Sequence, residues 1–172
     1  MGILKKLRIL TVIIAALFIA GCNGDLTDGD KRITQQIDDA ISQYIVQHSA
    51  NAYAPAEKQF EVHKVYGTSE ADGVLNVYMW SYYAGFNRAT GSDPQSGHSL
   101  PAVIRLSQTD ESYSVIEYIE PKDGSMYEPS LKKMFPGEYV KSALRDSGNI
   151  GDLQQKMDKK VQKWIEQQDK ES

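Results

Sequence analysis

The stretch VLNVYMWSYY, residues 74–83, constrains the fold more than any other part of the chain. Alternation puts Leu75, Val77, Met79 and Tyr83 on one side of an extended strand, and Val74, Asn76, Tyr78, Trp80 and Tyr82 on the other. Both sides are apolar enough to require cover, which predicts a central strand. The same period of two appears just upstream. There Phe60, Val62, Lys64 and Tyr66 share one face, and Glu61, His63 and Val65 share the other. Ala71, Asp72 and Gly73 lie between the two runs and read as a hairpin turn.

A third strand is expected from Leu100 to Leu106 and a fourth from Tyr113 to Ile119, joined by the short polar segment SQTDES and therefore antiparallel neighbours. Pro101 falls near the start of the third strand, where a missing donor is tolerated. AGFNRATGSDPQSGH, residues 84–98, breaks the pattern with glycine, Pro94 and small polar residues and reads as a long loop, of a length that is usually functional or disordered. Helices flank the strands. Ile33, Ile37, Ile41, Tyr44, Ile45 and His48 recur at three and four residues, predicting a helix from Lys31 to about Ser49, capped by Asp28 or Asp30 and ended by NAYAP. After the PKDG turn, short helices are expected near Pro129–Met134 and Glu138–Leu144. Leu153, Met157, Val161, Trp164 and Ile165 then form the apolar stripe of a C-terminal helix. The order gives an α+β domain: an N-terminal helix, a roughly four-stranded and mostly antiparallel sheet, and C-terminal helices, with the helices on one face. That layout is similar to the cystatin-like and nuclear transport factor-like architectures, a likeness of arrangement that does not fix function.

The N-terminus has a different character. Lys5, Lys6 and Arg8 precede an apolar run from Ile9 to Ala20, the layout of a secretory signal peptide. A membrane-spanning helix needs roughly 20 apolar residues, and this run is shorter. Ile19, Ala20, Gly21 and Cys22 resemble the lipobox of bacterial lipoproteins. The resemblance implies cleavage before Cys22 and a diacylglyceryl group on its sulfur, and two acyl chains anchor a protein stably. It divides the chain into a signal peptide at 1–21, a lipidated tether at 22–29 and one extracytoplasmic domain at 30–172. Cys22 is the single cysteine, so no disulfide or thiolate metal site is available. The whole chain carries a net charge of −4, and removal of the three basic residues ahead of Cys22 makes the remainder more acidic. Such a balance argues against nucleic acid as a partner and leaves the lipid as the attachment to the membrane.

Chemistry-bearing motifs are sparse. His48, His63 and His98 lack zinc-ligand spacing, and no nucleophile elbow, zincin helix, phosphate loop or calcium loop occurs, so no metal or cofactor is expected. His98 beside Ser99 raises an envelope hydrolase completed by a distant carboxylate, which requires a base within hydrogen-bond reach of the nucleophile. Tyr78, Trp80 and Tyr82, leading into Phe86 and Arg88, form either sheet core or an exposed platform for a ligand. DGSMYEPSLKKMFP at 123–136, with SGHSLPAVIRL and YSVIEYIEP before it, resembles small Gram-positive (Bacillus-type) lipoproteins and the extracytoplasmic regions of antibiotic-sensing membrane metalloproteases. This resemblance implies an outer-leaflet accessory domain; the zinc-ligand helix of those proteases is absent from the sequence. The expectation is a lipid-anchored, non-enzymatic domain on the extracytoplasmic face of the cell membrane. It would bind an envelope protein or cell-wall ligand through Tyr78, Trp80, Tyr82, Phe86, Arg88, His98 and the loop from Gly85 to His98. The alternatives are the His98/Ser99 hydrolase and a purely structural lipoprotein.

Overall fold

The computed structural model describes residues 27–28, 33–109 and 112–171. The signal peptide, Cys22 and the Asp30 cap lie outside the described residues, as does the tether apart from 27–28. Five strands and four helices follow in the order β1 (Thr27–Asp28), α1 (Gln35–Ser49), β2 (Lys58–Ala71), β3 (Val74–Phe86), β4 (Ser96–Gln108), β5 (Tyr113–Ile119), α2 (Tyr127–Met134), α3 (Gly137–Asp146) and α4 (Gly151–Glu171). The strands form one antiparallel sheet in chain order, so β3 is its middle strand. The β2–β3 hairpin closes through Asp72 at φ 53 and Gly73 at φ 74. Two successive left-handed residues match the twist of the strands they join, which is why aspartate and glycine occupy the turn.

Helix α1 begins at Gln35, with Thr34 as its cap: the Thr34 hydroxyl accepts from the Ile37 amide at 3.3 Å, in the role expected of Asp28 or Asp30. Its buried stripe of Ile37, Ile41 and Ile45 lies on Val65, Val77, Met79, Tyr83, Ala102, Ile104 and Leu106. On the opposite face of the sheet, Leu131, Phe135, Tyr139, Val140, Ala143, Leu153, Met157 and Val161 from α2–α4 cover Val62, Tyr66, Trp80, Ala84, Phe86 and Val103. The expectation of helices on one face is corrected: the sheet is sandwiched. The reason is β3 itself, whose two faces are both too apolar to leave in water.

The long loop is also shorter than expected. Strand β3 continues to Phe86 and β4 starts at Ser96, leaving 87–95 with one 3₁₀ turn at Arg88–Thr90. Gly97 belongs to β4 because a Cβ there would come within 2.1 Å of the Tyr83 carbonyl oxygen. The glycine marks close backbone approach inside a sheet. A bulge between Val65 and Gly67 shifts the β2 register. The neighbouring Lys64 Nζ and Tyr66 hydroxyl donate to Asp146 Oδ2 at 2.7 and 2.9 Å, tying the end of α3 to β2.

Since both apolar layers share one sheet, Ile41→Ala and Leu131→Ala, one on each face, are each expected to cost about 2–5 kcal/mol. Both variants are expected to keep a single urea transition. A biphasic curve would show that the two layers unfold separately.

Candidate functional site

Alternation along β2 aims Glu61 and His63 toward α1, and both are buried, Glu61 to 1% exposure. Ser81, the β3 partner of His63, is fully buried beside them. Asp38 and Ser42 stand four residues apart on α1 and therefore share one helical face. Glu61 Oε1 accepts from Ser81 Oγ at 2.9 Å, and its Oε2 accepts from Ser42 Oγ at 2.7 Å and from His63 Nδ1 at 3.0 Å. His63 Nε2 lies 3.2 Å from Asp38 Oδ1, an ion-pair contact outside hydrogen-bond alignment. Three segments of the chain, from α1, β2 and β3, thus converge on one buried carboxylate.

The electrostatics follow from this packing. Burial alone would depress the His63 pKa, but the Glu61 carboxylate against one ring nitrogen and Asp38 against the other raise it to about 9. Asp38 is held below the ordinary aspartate value by the His63 side chain, against the opposing effect of its own partial burial. His63 is therefore a locked imidazolium at neutral pH. It is not placed as a general base, because Ser42 and Ser81 both donate to Glu61 instead of to the ring.

Helix α4 completes the site from across the edge of β2. Lys160 Nζ donates to the Glu61 carbonyl oxygen at 2.9 Å. Two open clefts flank the pair Asp38–His63. One of about 190 Å³ is lined also by Ile33, Thr34, Gln35 and Lys156, and one of about 320 Å³ by Ser42, Val62, Lys156, Lys159 and Lys160. The arrangement is an imidazole held between two carboxylates beneath a lysine-lined opening between α1 and α4.

The residues singled out from sequence are distributed differently. Trp80 is 4% exposed under the C-terminal helices and its Nε1 donates to Ser99 Oγ at 2.8 Å. Tyr78 meets the rings of Phe135 and Tyr139 at 5.6 and 5.5 Å, Tyr82 is half-buried against the same core, and Phe86 is fully buried. Of the two readings open for this strand face, it serves as core. Arg88 is exposed and paired with Glu57 at 3.1 Å. His98 lies on the α1 side, with Nδ1 3.1 Å from the Tyr53 hydroxyl and its ring stacked on Tyr83; burial lowers its pKa against the pull of Glu120 and Glu61. Consecutive strand residues point to opposite faces, so His98 and Ser99 stand on opposite sides of the sheet and do not hydrogen-bond each other. His48 ends α1 with its ring stacked on Tyr44. The Asp38–Glu61–His63 group escapes local motif reading because its members come from different elements. Its one local signal is a carboxylate and an imidazole on the same strand face as the apolar Val65. Among the described residues, no group of three or more His, Cys, Asp or Glu side chains is arranged to hold a metal ion.

Because the folded pKa of His63 exceeds its unfolded value, its contribution to stability is complete below about pH 6.5 and is lost as pH rises through about 9. A shift of this size corresponds to on the order of 3 kcal/mol. The stability difference between wild type and His63→Gln, measured by urea titration, is expected to shrink by that order across this window. A difference independent of pH would show that the folded state holds His63 neutral.

No known family, curated protein or solved structure matches the chain.

Proposed function

We propose that the chain is a lipid-anchored, extracytoplasmic, non-enzymatic domain that binds an envelope component in the cleft between α1 and α4. The observation that carries the binding assignment is the network of buried Glu61 and His63 with the half-exposed Asp38, opening on that cleft. Desolvating two ionisable groups is costly, and an ordered polar network at the base of an opening is the kind of preorganised feature that recognises a ligand. The lipobox-like Ile19–Cys22 segment supports the anchor. Among the described residues no helix is long and apolar enough to cross a membrane. The cleft is preferred to the loop from Gly85 to His98 as the binding surface, because the sheet takes both ends of that segment, 85–86 and 96–98, and its neighbours Trp80 and Phe86 are buried.

Labelled fatty acid is expected to enter the wild type and not Cys22→Ala, and Cys22→Ala is expected in the soluble fraction. Label in the variant would refute the anchor. For the binding site, an extract of envelope components added to the purified full chain should move the NMR signals of His63 and Ser42. Shifts confined to 87–95 would return the site to the loop.

A further inference from the structure

We propose that the α1–α4 cleft takes a phosphate-bearing anion, held by the lysine stripe of α4 above the His63 side chain. This rests on the reading of the cleft as the ligand site and assigns the chemistry of what enters it. Lys156, Lys159, Lys160 and Lys163 occupy positions i, i+3, i+4 and i+7 of α4, hence one face of the helix. Like charges at those spacings repel, so the stripe lowers helix stability unless an anion meets it. Lys160 donates to the Glu61 carbonyl, and Lys156 and Lys160 both act electrostatically on Asp38. Among the described residues, no ion pair engages Lys159 or Lys163.

The floor of the cleft adds a directed donor. His63 Nε2 is buried without an aligned acceptor, although His63 lines both openings. Its nearest oxygen is Asp38 Oδ1 at 3.2 Å, and an incoming oxyanion would share or displace that contact. Among the described residues lining the larger opening, Asp38 is the one carboxylate, set against His63, Lys156, Lys159 and Lys160. Glu61 lies behind the opening, its oxygens already occupied by Ser42, Ser81 and His63.

The donor set distinguishes among anions. A carboxylate is best met by the planar fork of arginine, and among the described residues no arginine lines either opening. Several ammonium point charges arranged around one imidazolium suit a tetrahedral group with oxygens on all sides. The same chemistry is offered by a phospholipid headgroup and by a soluble phosphate ester. The geometry assigns the phosphate, and the source is left to the two arms of the test.

The purified full chain in detergent would be titrated with inorganic phosphate, with acetate as a control, following the His63 ring signals by NMR. A parallel arm would measure co-sedimentation with phosphatidylcholine vesicles with and without phosphatidylglycerol. Saturable shifts with phosphate and not acetate are expected, weakened at least about tenfold in Lys159→Gln/Lys163→Gln, a loss of about 1.4 kcal/mol. Lys132→Gln/Lys133→Gln, on α2 and lining neither opening, should bind as the wild type does. Vesicle binding that needs phosphatidylglycerol and the stripe lysines identifies a lipid headgroup; phosphate binding without it identifies a soluble ester. Equal shifts with acetate, or affinity unchanged in the stripe variant, would overturn the phosphate assignment while the cleft stands as a binding site. No shift with any probe or with the envelope extract would overturn both.

Discussion

The organisation of this domain depends on β3 being apolar on both sides. A central strand carrying Val77, Met79 and Tyr83 on one face and Tyr78, Trp80 and Tyr82 on the other needs two independent covers. Helix α1 supplies one and α2–α4 supply the other. That requirement brings α1 and α4 to the same margin of the sheet from opposite sides. In consequence β2, next to β3, has an edge along which the two helical layers come close, and among the described residues β1 pairs there with Gly67 and Thr68. The cleft is a product of double coverage.

The ionic network at that margin combines opposing energies. Taking Glu61 out of water carries a desolvation penalty of several kcal/mol, and it is offset only because both its oxygens accept hydrogen bonds and a cationic ring lies alongside. Removing a single partner would leave a buried charge under-satisfied, whereas the intact group fixes the orientation of α1 on β2. Lys160 extends the network to α4 through a backbone oxygen, so its geometry at that point is independent of the side chain at position 61.

Much of the fold is legible in the residues, for local reasons. The Asp72–Gly73 turn follows from left-handed backbone preference, the centrality of β3 from its two apolar faces, and the inward side of α4 from its 3.6-residue stripe. Which face of the sheet each helix covers is not legible, since α1 and α4 are both amphipathic and their placement is decided by packing between distant segments. Gly97 misleads for a physical reason: glycine serves turns and close strand approach alike, and only the Tyr83 carbonyl opposite it distinguishes the two. Trp80 and its neighbours leave both core and platform open, because the same aromatic side chains suit both. The candidate site is the least legible part, being assembled from residues 38, 42, 61, 63, 81 and 156–160.

The opposed orientation of His98 and Ser99 bears on how the sheet finds its alignment. His98 engages Tyr53 and Tyr83 in one layer while Ser99 receives the Trp80 indole proton in the other. A slip of β4 by one residue would exchange them, forcing an imidazole under the C-terminal helices and leaving a hydroxyl against the Tyr83 ring. The dipeptide therefore works as a key with different teeth on its two sides. It admits one alignment of β4 on β3 and rejects the adjacent one from both layers at once.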